Sequence, residues 1–415
     1  MRRLINLVLL TLVLSGAAAQ AADKFFFHNG DDPIVFLGDS ITEPDMYTAY
    51  LESYILTRFP DWKVRFRNVG WSGDTSWLRM RGDFETTLRR DVLDLKPAAV
   101  TIDFGMNDAR GDYENIPLYR ENLTRLVKEI SASGARVAVL TSSPEERNQY
   151  LQPGGSEYNR LLEKFAATAG EVAAAQQVPF VDQFHPFVAA LEAGRAAEIP
   201  GFVLVPDHVH PNWAGHLIMA QTILKSLHAP ALVSSARLNG ATGEVVRTDS
   251  CRISDVLRHR DRLIFTRLDD CLPMPIQPES RIIFQIPGNS FARDLNQYRL
   301  QVTDLAAGDY EIDIDGVRVG VFSAAQLDGG ANLGLDTGPI GAQSLRLMDL
   351  VRAKNKLFFQ RWREVQLSAP TTAQGQARRL TEMDRLDRAI ANEEQAINAL
   401  RTPHPHRFSV IHLDR

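Results

Sequence analysis

Val35-Phe36-Leu37-Gly38-Asp39-Ser40 is a short apolar run, a small turn and a serine. A run of that length between turn signals has the pattern of a buried strand in a parallel sheet. The serine then falls just past the strand's carboxyl end, the edge where open α/β sheets hold their ligands. Far downstream, Asp207-His208-Val209-His210 places a carboxylate and an imidazole three residues apart. A free hydroxyl is a poor nucleophile at neutral pH and needs such a base. Ser40, His210 and Asp207 are therefore the candidate nucleophile, base and orienting acid.

Outward from this stretch, strand and helix patterns alternate. Strands are expected at 34–37, 64–68, 98–104, 136–141 and 178–182. Helices are expected at 47–58, 84–95, 118–131, 157–176 and 213–227. Such alternation predicts a parallel sheet with helices on both faces, a three-layer α/β/α flavodoxin-like arrangement. The catalytic unit is expected over residues 22–230. Beyond Pro230 the texture changes to short alternating runs, and Asp315-Gly316 between two of them is a hairpin signal. Residues 231–342 are thus expected as a β-rich accessory region, and 343–415 as a C-terminal helical hairpin and tail.

The bulk numbers narrow the function classes. The 415 residues suit two or three units, and the 44% hydrophobic content suffices for a large core. The net charge of −5, with no massed basic stretch, points away from nucleic acid. Arg2-Arg3, an apolar run from Leu4 to Leu14 and Ala19-Gln20-Ala21 have the layout of a cleaved secretory signal over residues 1–21. The apolar run is short against the ~20 residues of a membrane span. A secreted or periplasmic protein without an integral span is expected after cleavage. In that compartment the two cysteines, Cys251 and Cys271, are expected to form one local disulfide.

Two further loops follow expected strands. Asn68-Val69-Gly70-Trp71-Ser72-Gly73-Asp74-Thr75 carries glycines able to turn an amide into a cleft, and Gly105-Met106-Asn107-Asp108 carries an amide side chain on the same sheet edge as Ser40. Taken in order, Gly38-Asp39-Ser40, the Gly73 loop, Gly105-x-Asn107-Asp108 and Asp207-x-x-His210 resemble the four sequence blocks of the SGNH (GDSL-type) hydrolases over residues 33–229. The resemblance implies a carboxylic ester hydrolase in which Ser40 is the nucleophile, His210 the base and Asp207 its support. It implies an oxyanion hole from the Ser40 and Gly73 amides and the Asn107 side chain, with Gly70 the alternative to Gly73. It implies no metal and no organic cofactor. A two-ligand metal site from His208 and His210 is the competing local reading, but no acidic or cysteine cluster accompanies it.

Trp71, Trp77, Tyr113 and Trp213 flank these loops, and aromatic faces beside a shallow cleft suit sugar rings. Together with Asp39, Trp71, Trp77 and Trp213 form the expected substrate-binding set. Acetylated carbohydrate is the first substrate expectation, as a small-molecule or polysaccharide ester. Lipase, lysophospholipase or thioesterase activity is the alternative within the family. A catalytically idle glycan-binding envelope protein is the alternative outside it. Oligomeric state is open at this stage.

Overall fold

In a computed structural model, residues 24–111, 115–146 and 157–413 are described. The expected signal sequence and Tyr113 lie outside them. The apolar runs become strands because their side chains are largely buried, fully so in the central ones. β1 (Ile34–Gly38) and β3 (Ala99–Asp103) are buried along their whole length. With β2 (Phe66–Asn68), β4 (Arg136–Leu140) and β5 (Phe180–Val181) they form a parallel sheet in the order β2-β1-β3-β4-β5. This is the flavodoxin-like order, and its switch point lies between β1 and β3.

The intervening helices are α1 (Tyr47–Arg58), α2 (Phe84–Asp91), α3 (Ile116–Ala132), α4 (Glu157–Gln176), α5 (Phe184–Ala196) and α6 (Trp213–Ser226). α5 is absent from the sequence expectation, although Phe184, Phe187 and Leu191 recur at helical spacing and are buried. Only glycine fits position 38, because a Cβ there would lie 2.8 Å from the Asp103 carbonyl oxygen. That close approach lets the chain turn sharply out of β1. Asp39 fixes the turn: its carbonyl accepts from the N–H groups of Thr42 and Glu43, and its carboxyl from that of Ile41.

Two further sheets follow. One has the order β13 (Ala331–Asn332), β10 (Gln297–Thr303), β6 (Leu232–Asn239), β7 (Val245–Asp249), and the other β12 (Val317–Ser323), β11 (Asp309–Ile314), β14 (His406–Leu413), β9 (Arg262–Asp269), β8 (Cys251–Arg258), with two short helices, α7 (Phe291–Leu295) and α8 (Ala324–Asp328), among their strands. The hairpin between β11 (Asp309–Ile314) and β12 (Val317–Ser323) turns at Asp315 (φ 52°) and Gly316 (φ 79°). Two positive φ values make it a type I′ turn, as its sequence predicts. Two expectations need correction. β14 (His406–Leu413) lies between β11 and β9, so the C-terminal tail completes a sheet of the β-rich region rather than trailing from the helices. Cys251 and Cys271 are separate buried thiols and not a disulfide. They donate to the carbonyls of Ser235 and Val233 on β6 (Leu232–Asn239). Those carbonyls are about 6.6 Å apart along a strand.

The helical pair runs α9 (Pro339–Phe359), a π-helical segment (Gln360–Gln366) and α10 (Ala373–Leu400). Its apolar face, including Leu347, Val351, Phe358 and Trp362, shares one continuous core with the parallel sheet. A polar clamp fixes it against α1. Lys354 pairs with Glu52, both almost fully buried, and the Asn355 amide donates to Glu52 and to both oxygens of Asp45. Removing one partner of a buried pair strands the other charge. Lys354→Ala should therefore cost about 3–5 kcal/mol. The double change Lys354→Met/Glu52→Leu should recover most of it, as read from urea denaturation midpoints.

Candidate active site

The residues picked out in the four sequence blocks meet at the carboxyl edge of the parallel sheet. His210 Nε2 lies 2.9 Å from Ser40 Oγ, although 170 residues separate them. His210 Nδ1 lies 2.7 Å from Asp207 Oδ2. The carboxylate holds its own loop as well: Asp207 Oδ1 accepts from the N–H groups of Val209 at 3.0 Å and His210 at 2.7 Å. This is an Asx-type turn, which explains the three-residue spacing. The acid, its loop and the ring are one local unit.

Electrostatics follow from that geometry. Partial burial acts to raise the Asp207 pKa, but the hydrogen bonds from the His210 and Val209 amides and the His210 ring outweigh it and bring the group down to about 2. Asp207 is therefore ionised beside His210 at any ordinary pH. Its side chain is 57% exposed and that of His210 41%, so both are open to a ligand from solvent. Beneath them His216 is fully buried, stacks on Tyr47 and is pushed down to about 3 by burial and by the nearby His210. It stays neutral.

Donors sit on the loops of the same edge. Among the described residues the Ser40 and Gly73 amides have no acceptor, whereas the Gly70 amide donates to Asn68 Oδ1 at 2.8 Å. Gly73 also has φ +79°, with only ordinary contact to the Met80 side chain at its Cβ position, while Gly70 is pressed against the backbone of Glu43. Gly73, not Gly70, is the glycine with a free amide in that loop. Asn107 is 3% exposed, and its Nδ2 donates to the Asp74 carbonyl at 2.9 Å and lies 3.4 Å from Asp39 Oδ2. The longer contact leaves its second hydrogen weakly held.

The remaining expected residues fare differently. Asp39 is 2% exposed and serves the turn and Asn107, so it is not a substrate contact. Trp71 is half-buried with the Arg363 guanidinium 3.0 Å from its ring centroid and Trp362 against its edge. Trp213 opens α6 with Tyr50 at its edge and Arg352 4.8 Å over its ring. Trp77 is half-buried, with Arg79 5.8 Å from its ring. His208, at φ 75°, bonds the Glu146 carbonyl through Nδ1 and so holds the loop.

Sequence reasoning missed the supports. Arg81 is fully buried, with Nε 2.6 Å from Asp74 Oδ2 and Nη2 3.3 Å from the Gly38 carbonyl. Glu146 accepts from the amides of Leu204 and Val205 and pairs with Arg195, which anchors the approach to Asp207. Neither carries a local pattern. A buried carboxyl layer lies behind the serine. Burial pushes Asp39 well up, with Asp103, Asp108 and Asp74 adding to the effect. Burial likewise raises Asp103 to about 7, against hydrogen bonds from Gln183 and Tyr47, and Asp108 to about 6.

Residues 36–218 match the GDSL-like Lipase/Acylhydrolase family. An acetylxylan esterase of Geobacillus stearothermophilus is 28% identical over 218 residues, 47% of this chain and 94% of that protein. Among solved structures, a gut microbial diltiazem-metabolizing enzyme shares the fold with a TM-score of 0.74 at 22% identity, over 93% of this chain and 99% of that one. The β-rich region and helical pair are thus part of a recurring whole-chain architecture.

The raised acids set a pH dependence of stability. A carboxyl whose folded pKa is about 7 keeps a proton that the unfolded chain, titrating near ~3.9, has released. Stability therefore falls as pH rises from about 4 to 7 and is flat above. Asp103→Asn should melt higher than the parent at pH 8 by a few degrees and match it at pH 4. Melting curves across that range check the sign.

Proposed function

Over residues 36–218 the chain belongs to the SGNH (GDSL-type) hydrolases and is an ester hydrolase, and from that premise we propose that it cleaves carbohydrate esters through an acyl-enzyme on Ser40. The observation that carries this reading is the contact at 2.9 Å between Ser40 Oγ and His210 Nε2, backed by Asp207 at 2.7 Å. His210 Nε2 takes the serine proton as Oγ attacks the ester carbonyl. Asp207 holds the ring in the tautomer with a proton on Nδ1 and offsets the imidazolium charge. The tetrahedral oxyanion faces the Ser40 and Gly73 amides and the second hydrogen of Asn107 Nδ2. Collapse expels the alkoxide, which receives the proton from His210. A water then gives its proton to His210 and attacks the acyl carbon, releasing the acid and restoring Ser40.

The carbohydrate part of the proposal rests on the acetylxylan esterase relative and on the openness of the site. Its His210 and Asp207 lie at the surface, which admits a polymer side group more readily than a lipid chain needing an apolar tunnel. Among the described residues no helix is long and apolar enough to cross a membrane. The amino-terminal pattern of residues 1–21 supports export, which would bring the enzyme to extracellular glycans.

Ser40→Ala should lower turnover of p-nitrophenyl acetate by at least about 10³-fold and abolish labelling by an organophosphonate probe. Full activity or intact labelling would reject the nucleophile. Asn107→Ala should reduce kcat by ~10²–10³ with KM little changed. An unaltered kcat would remove Asn107 from the oxyanion hole. Release of acetate from acetylated xylo-oligosaccharides, with no cleavage of long-chain lysolipids, tests the substrate class.

A further inference from the structure

Arg352, Lys356, Phe359 and Arg363 follow one another at spacings of four, three and four residues along α9 and the π-helical segment, so they share a helix face. Arg352, Lys356 and Phe359 of that face line a cleft of about 580 Å³ whose other wall includes Glu43 and Asp45. The cleft abuts the catalytic loops on both sides. Glu43 stands three residues past Ser40, and its amide bonds the Asp39 carbonyl at 3.0 Å. Arg352 lies over the ring of Trp213, three residues past His210. At the far end Arg363 covers Trp71, two residues before Gly73.

The charges of the two walls are in different states. Glu43 accepts from the Ser72 amide, and Asp45 accepts from Asn355 and Thr48. Among the described residues no carboxylate lies within ion-pair distance of Arg352, Lys356 or Arg363. An anionic group entering the cleft would give Arg352 and Lys356, which line it, the partner they lack. A guanidinium fork matches a carboxylate in particular, and the ring of Phe359 between the cations offers an apolar patch for a sugar face.

We propose that this face of the C-terminal helix is a subsite for uronate residues of the polysaccharide that carries the ester. It rests on the carbohydrate-ester reading and specifies it: the sugar bearing the scissile ester sits at Ser40, and an acidic neighbour lies along Arg352 and Lys356. Neutral chains lack the group that the cations await.

Calorimetric titration of the full chain with trigalacturonate and with xylotriose tests the subsite without any catalytic step. Trigalacturonate should bind at least about tenfold more tightly, and the preference should shrink in about 0.5 M NaCl through screening. Arg352→Ala/Lys356→Ala should remove the preference, with a melting temperature like the parent's as the check on folding, and Lys356→Ala alone should weaken it in part. Equal binding of the two sugars, or a preference that survives the double change, overturns the proposal. Hydrolysis of p-nitrophenyl acetate in parallel separates the two readings. A Ser40-dependent esterase with no uronate preference refutes only the subsite, and uronate binding without Ser40-dependent hydrolysis refutes only the catalytic assignment.

Discussion

A buried guanidinium holds the active-site edge together. Arg81 reaches the Gly38 carbonyl at the end of β1, Asp74 in the second loop and Asp91 at the end of α2. Asp74 in turn accepts from Asn107 through its carbonyl, so the loops after the first three strands are linked through two side chains, Arg81 and Asn107. Trp362 of the C-terminal region donates to Asp91 at 3.0 Å. The Arg81 side chain has no solvent exposure, and a charge placed there is tolerated only because carboxylates and a carbonyl converge on it. With that convergence the amides near Ser40 are held in place before any ligand arrives, which is the condition for electrostatic stabilisation without reorganisation.

The same edge sorts its acids into two kinds. Asp39, Asp103 and Asp108 are buried and pushed upward, so behind the serine negative charge is disfavoured. Asp207 is exposed, fed by amide hydrogen bonds and held near 2. A fully ionised carboxylate therefore stands where it can support a protonated His210. His216, the imidazole beneath, is kept neutral by burial and does not compete for the proton. Environment assigns different tasks to like residues, the pattern expected when acid and base chemistry share one site.

What could be read from the chain follows the range of the forces involved. The parallel sheet and the places of Ser40 and His210 on its edge were legible because each has a local cause: an apolar run, the glycine at position 38 forced by close backbone approach, an Asx turn. The supports were not. Arg81 and Asp91 pair across α2, Trp362 and Asp91 are 271 residues apart, and such contacts leave no periodic trace. β14 was missed because its short alternating run does not say which strands it joins, and its place between β11 and β9 is set by long-range pairing. Asp39 and Trp71 were assigned to substrate because their loops are functional. Burial of Asp39 and the cover of Arg363 over Trp71 show instead that residues beside a catalytic group often serve the loop.

The clamp on α1 decides how the C-terminal region can act. Lys354 and Asn355 are buried against Glu52 and Asp45, and Asp45 belongs to the same short connection as Ser40. A lid would need weak, solvated contacts that open at little cost. Here the helix shares the core of the parallel sheet through Leu347, Val351 and Phe358. Moving it would expose apolar surface and separate buried charges together. The helix therefore travels with the serine turn as one rigid wall. Such a wall shapes a cleft by fixed position rather than by closing over its contents, which would suit the polysaccharide ester proposed above, a chain met from the side with both ends left free.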